Sequence, residues 1–120
     1  LTIADHFGMT GGSIICELRG TIGSRVIIGA NSIITDTDFH PLDPLHRQRA
    51  PLDAALAPVT IGDDVFIGMH TLILKGVTIG AGSVIGAGSV FTRDIPPPVI
   101  AAGNPARVLR PLNPAESQSR

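Results

Sequence analysis

The chain has 120 residues, 43% hydrophobic but only 3% aromatic, so one domain is expected, with a core of Ile and Val rather than rings. A net charge of −1 offers neither a basic surface for nucleic acid nor an acidic tail for a basic partner. Cys16 stands alone, which excludes an intrachain disulfide, and no apolar run reaches the roughly 18 residues that a membrane-spanning helix needs.

The chain opens on Leu1-Thr2-Ile3, already in a repeat and without a basic-then-apolar leader. A segment upstream of Leu1 is therefore expected, and a cytoplasmic location. Ile3, Met9 and Ile15 head three six-residue units, and one extra residue precedes Ile22. Ile22, Ile28 and Ile34 then head IGSRVI, IGANSI and ITDTDF. The beat stops in TDTDFHPLDPLHR, residues 35–47, and resumes about twenty residues later. From Ile61 it runs through IGDDVF, IGMHTL, ILKGVT, IGAGSV, IGAGSV and FTRDIP. Every first position is apolar, and the fifth positions (Val65, Thr71, Val77, Ser83, Ser89 and Ile95) are small or branched.

A period of six suits neither a helix nor a hairpin. Six helical residues turn the side chain through about 600°, so the heads would wander round the axis. Six is a multiple of the strand period of two, which points to a short strand followed by a corner. The Gly after most heads, and Asn31, Asp64, Gly82 and Gly88 at the fourth position, suit corners of unusual φ and ψ. Three units per coil give a triangular prism, a parallel β-helix of about four coils stacked at about 4.8 Å. Its first positions point inward, and the fifth positions must be small. Pro96-Pro97-Pro98 cannot continue such a coil, so the following segment is expected to fold over the open end or reach a neighbour. The domain is expected over residues 1–112, with a protruding loop at 40–57 and a polar tail at 113–120.

Three features taken in order, the His-Pro loop, the hexad block and the run T-R-D-I-P then A-G-N-P-A-R-V-L-R, resemble the hexapeptide-repeat acyltransferases. The similarity covers roughly residues 14–112. It is nearest to the maltose, galactoside and nodulation sugar O-acetyltransferases and to the lipopolysaccharide and capsule O-acetyltransferases. The resemblance implies a left-handed β-helix and a homotrimer with active sites between subunits. It also implies acetyl transfer from acetyl-coenzyme A to a sugar or glycan hydroxyl; charge and hydropathy already speak against nucleic acid and a membrane span.

His40 is the leading catalytic candidate. Acetyl transfer to a hydroxyl needs a base, and an imidazole titrates in the right range. The plainer alternative is a loop histidine bonded to backbone, and the resemblance favours the base. Asp36 or Asp38 could orient the ring, but a solvated turn is the expectation for both, since a backbone carbonyl would serve equally well. His46, Arg47, Arg49 and Asp53 lie in the loop, which the resemblance places against a neighbouring subunit. The resemblance also puts Met69 and Ala87, 18 residues apart, on the coenzyme A channel. Met69 departs from the usual Gly or Ser. Thr92, Arg93 and Arg110 match positions near the nucleotide end, where guanidinium suits phosphate. Cys16 is expected to be a small corner residue and not a nucleophile. No metal is expected. The competing readings are a carbonic anhydrase-like zinc site of the γ class, drawing on His6, His40, His46 and His70, and a non-catalytic trimerising module.

Overall fold

The structure is a computed structural model and describes residues 1–113. The first coil holds β1 (Thr2–Ile3), β2 (Gly8–Met9) and β3 (Gly12–Ile15), and the second β4 (Gly20–Ile22), β5 (Ile27–Ile28) and β6 (Ser32–Thr35). A loop carrying the helix α1 (Pro44–Arg49) interrupts the prism. The third coil follows as β7 (Val59–Ile61), β8 (Phe66–Ile67) and β9 (Leu72–Ile73). The fourth is β10 (Thr78–Ile79), β11 (Val84–Ile85) and β12 (Val90–Phe91). Each coil gives one strand to each of three parallel sheets, β1-β4-β7-β10, β2-β5-β8-β11 and β3-β6-β9-β12. This is the expected parallel β-helix, a prism of four coils.

Heads stack on heads. Ile22 pairs with Ile61 and Ile61 with Ile79; Ile28, Ile67 and Ile85 form the second column, and Ile34, Ile73 and Phe91 the third. All of these are buried, with Val26, Val65 and Val77 filling the corners between them. Thr71, Ser83 and Ser89 occupy the same inward corner position, and their hydroxyls donate to the carbonyls of Gly68, Pro96 and Gly86. That bonding makes a buried hydroxyl tolerable in an aliphatic core.

Four expectations need correction. Ile14, and not Ile15, pairs with Ile34 and packs on the core. The first coil therefore takes five residues from Met9 to Ile14 and eight from Ile14 to Ile22, and the single extra residue is the net of two irregularities. Ile95 is not a fifth position, because it bridges to Ile79 and so begins a fifth turn two residues early. The second-position glycines do not need unusual dihedrals. A Cβ on Gly68 would lie 2.7 Å from the Ala87 nitrogen of the next coil, so coil-to-coil approach dictates glycine there. The positive φ belongs to the fourth position, at Arg25, Asn31, Asp64, His70, Gly76, Gly82 and Gly88. Asp36 is likewise no solvated turn, as described below.

The C-terminal segment folds over the end of the prism. β13 (Val99–Gly103) pairs in parallel with β11, and β14 (Ala106–Pro111) turns back antiparallel to it. Val99 and Ala101 thereby close the core. The expected tail lies outside the described residues except for Asn113.

Candidate functional site

The loop is inserted at the corner between the third and first sheets, and its root is built from the chain's own hydrogen bonds. Thr37 bridges antiparallel to Leu56, Asp38 N donates to Ala55 O (3.1 Å) and Ala57 N donates to Asp36 O (3.0 Å). Beyond this stalk Asp43 caps α1, accepting from His46 N at 2.9 Å, and Pro44 supplies the first helical position. No residue of α1 is buried. The helix has no apolar face to impose a period, although the Asp-Pro start signal is plain in the sequence.

Asp36 anchors that root. Its side chain is buried and accepts from three backbone N–H groups of the first coil: Glu17 at 2.9 Å, Leu18 at 2.6 Å and Arg19 at 2.8 Å. Burial pushes the carboxyl up. The three N–H donors, with a further contribution from the Cys16 thiol, more than offset it, and the carboxyl titrates below its ordinary range. The long corner between Ile14 and Ile22 exists to wrap this carboxylate, which explains the irregular spacing. Asp36 does not touch the His40 ring.

His40 is exposed and follows Phe39, whose φ is +68°. His40 N donates to Asp38 O at 2.8 Å, which makes a γ-turn of the uncommon, strained hand. Thr37 Oγ1 accepts from Phe39 N (2.9 Å) and steadies the turn. The ring is fixed by Pro51 O, 2.6 Å from Nδ1. A carbonyl can only accept, so Nδ1 carries the hydrogen and neutral His40 presents a lone pair at Nε2. Asp38 reaches the prism instead, its Oδ1 3.2 Å from Lys75 Nζ. Neither Pro51, which acts through its backbone, nor Lys75, which lies outside the motif, was singled out from the sequence.

A cavity of about 450 Å³ lies between the loop and the Lys75 corner, lined by Asp38, Leu42, His46, Asp53 and Ala54 among others. His46 Nε2 is 2.9 Å from Asp53 Oδ2 across its rim. Arg47 donates to the carbonyls of Pro41 and Leu42, while Arg49 ends α1.

The other candidates divide by corner. Met69 and Ala87 do stack, with Gly88 N donating to Met69 O at 2.9 Å, at the corner between the second and third sheets. Met69 is 48% exposed, so its side chain points away from the core. Thr92 and Arg93 lie exposed after β12, at the same corner as the loop. Arg110 sits on β14 opposite Ile100. One chain therefore sets His40 and the Met69–Ala87 line on different edges of the prism. Among the described residues, no three His, Cys, Asp or Glu side chains are grouped to hold a metal ion. No helix among them is long and apolar enough to cross a membrane.

Comparison with known proteins agrees with this architecture. The family described as bacterial transferase hexapeptide (six repeats) matches residues 58–93. The galactoside O-acetyltransferase of Escherichia coli is 46% identical over 108 residues, covering 90% of this chain and 50% of that protein. A solved maltose O-acetyltransferase from Clostridium difficile is 36% identical with a TM-score of 0.71, over 91% of this chain and 59% of that one. A hexapeptide-repeat acetyltransferase from Vibrio cholerae, solved with acetyl-coenzyme A, is 33% identical with a TM-score of 0.67, over 90% of this chain and 73% of that one. The prism is the left-handed β-helix of these structures. The chain spans about half the length of the curated relatives it matches.

Proposed function

The chain belongs to the hexapeptide-repeat acetyltransferases, and from that premise we propose that it moves an acetyl group from acetyl-coenzyme A to a hydroxyl of a sugar or glycan, with His40 as general base. The observation that carries this is the Nδ1–H bond from His40 to Pro51 O, which leaves a basic Nε2 on an exposed ring. His40 Nε2 takes the proton of the acceptor hydroxyl as its oxygen attacks the thioester carbonyl. When the C–S bond breaks, His40 returns that proton to the departing thiolate. Such a base contributes about 10²–10⁴-fold in rate.

Coenzyme A is assigned to the corner of Met69 and Ala87, with Arg110 on β14 towards its nucleotide and with Thr92 and Arg93, which share the loop's edge, reaching it from the subunit that supplies His40. The fit there rests on small residues. Ala30 and Ala87 are the small neighbours of Met69 along this edge, and Gly68 lets the coils close up beneath it. A pantetheine arm can then lie against backbone.

Because His40 and this corner lie on different edges, the site is completed by a second copy, and a homotrimer is the proposed assembly. The outward side chains support it. The first sheet shows Thr2, Thr21, Thr60 and Thr78 in register. The second shows Ile27, Phe66 and Val84, and the third Ile33, Leu72 and Val90. Ile27 and Phe66 are 56% and 50% exposed in one chain, an apolar wedge suited to burial against copies of itself.

The test is thiol release from acetyl-coenzyme A with a panel of sugars. His40→Ala should lose turnover at least about 100-fold while keeping coenzyme A affinity by calorimetry. Full activity in a folded His40→Ala protein refutes the base, and failure of the wild type to bind coenzyme A refutes the reaction.

A further inference from the structure

We propose that Lys75 is a positioning residue for His40, holding through Asp38 the strained turn on which the imidazole is mounted. The proposal deepens the acetyl-transfer reading and rests on it for the effect on rate.

The turn needs support from outside. Phe39 has a φ of +68°, a left-handed value that a residue with a Cβ keeps only where its surroundings impose it. Packing within the chain does not impose it, because Phe39 is 44% exposed. The hydrogen bonds at the turn run from Phe39 N to Thr37 Oγ1, from His40 N to Asp38 O and from Asp38 N to Ala55 O. Their partners all belong to the loop and its stalk, and so does Pro51, which fixes the ring. These bonds set the ring against the loop rather than against the prism.

Lys75 supplies the tie to the next coil. Ile34 pairs with Ile73, so Lys75 stands in register with Asp36, where the chain leaves the prism. Its corner is fixed to the returning side of the stalk: Gly76 N donates to Ala57 O at 3.1 Å, and Ala57 N to Asp36 O at 3.0 Å. From that platform Lys75 Nζ lies 3.2 Å from Asp38 Oδ1. Asp38 is also the residue whose carbonyl closes the γ-turn on His40 N, so the pair clamps the turn at its first residue. The two side chains are 32% and 23% exposed, against 54% for each partner of the Arg25–Asp64 pair, so solvent screens this attraction less. Lys75 also lines the cavity beside the loop, where a lysine can meet a ligand directly. The two roles part at Asp38, which a clamp needs and a ligand contact does not.

The experiment compares wild type with Lys75→Met, Asp38→Ala, the double variant and Lys75→Arg, each as the full chain. Nitrogen-15 NMR at about pH 8.5, above the ordinary imidazole range, reads the tautomer, and the His40 signal is identified by its absence from His40→Ala. Wild type and Lys75→Arg should show the Nδ1–H form at His40. Lys75→Met and Asp38→Ala should shift towards Nε2–H, the commoner tautomer of an unconstrained histidine, as the ring leaves Pro51 O. In thiol release, kcat should fall at least about tenfold in both single variants, with KM and coenzyme A affinity unchanged. The double variant should be no slower than the slower single one, because one contact is lost only once. Lys75→Arg keeps the charge and should keep most of the rate. An unchanged Nδ1–H tautomer in both single variants overturns the proposal. So do losses that multiply in the double variant, or a raised KM at constant kcat, either of which makes Lys75 a ligand contact. If the wild type neither binds coenzyme A nor releases thiol, the acetyl-transfer reading falls, and the tautomer comparison still decides whether Lys75 positions the ring.

Discussion

Replacing Asp36 with Asn tests how the loop root is held. The carboxylate is buried and receives three N–H groups, one at Oδ1 and two at Oδ2. The best rotamer of Asn keeps its carbonyl at the Oδ2 position and its two bonds. It turns an NH2 towards the N–H of Glu17, so one bond is lost, two donors face each other and the charge that strengthened all three bonds is gone. A hydrogen bond to a charged group contributes about 1.5–3 kcal/mol, and the remaining two revert to neutral strength. Residues 17–19 are exposed on their other side, so water recovers part of the loss. The expected cost is about 3 kcal/mol. The carboxyl titrates lower in the folded chain than in the unfolded one, since N–H donation outweighs burial. Its contribution to stability is thus complete above the ordinary carboxylate range, and it is lost as pH falls through the depressed folded value. Urea unfolding of both proteins at one protomer concentration should show a constant gap from neutrality down to about pH 5, closing below about pH 4. A gap under about 0.5 kcal/mol at neutral pH, or one that persists unchanged into acid, would refute the anchoring role.

Two further substitutions test the prism. Ile67 is fully buried between Ile28 and Ile85, and Ile67→Ala should cost about 3–4 kcal/mol in the same unfolding assay. Gly68→Ala puts a Cβ 2.7 Å from Ala87 N and 2.8 Å from Ile85 O, both backbone atoms that cannot swing aside, and should cost about 2 kcal/mol. A neutral result there would mean that the coils do not approach as closely as described.

The parts that the sequence made legible are those where one rule repeats. Inward Ile every six residues, with a small inward corner residue, recurs because every coil buries the same three columns, so fold class and column membership follow from period alone. Spacing hides the register of the first coil because its two irregularities nearly cancel. A shortened Gly11-Gly12 corner and a lengthened 16–19 corner leave a net of one residue, and spacing reports only the net. The purpose of the long corner lies in Asp36, 17 to 19 residues away in the chain and adjacent only after coiling. The loop was visible as a silence in the repeat, but not its contents. A helix without a buried face carries no period, and the group that orients His40 is a backbone carbonyl, which leaves no residue type to read. Spacing by 18 residues sets Met69 and Ala87 on one edge, and only the prism shows that His40 stands on another.

That separation has a consequence that can be counted. If each site takes its base from one subunit and its coenzyme A corner from the next, a chain lacking the base and a chain with a blocked corner can complete each other. His40→Ala supplies the first. Ala87→Trp supplies the second, since Ala87 is exposed and a large side chain can project into the channel without entering the core. In a cyclic trimer assembled from equal amounts of the two, about three quarters of the molecules contain both chains, and each of these has one interface of three with an intact base facing an intact corner. Co-expression should therefore restore about a quarter of the wild-type thiol-release rate, although each parent is inactive alone. Mixing the two after assembly, without subunit exchange, should restore nothing. Were His40 and Ala87 to act within one chain, no mixed trimer would hold an intact site, and co-expression would stay at the level of the parents. That result would place the whole site on a single prism and remove the argument for its lying between subunits.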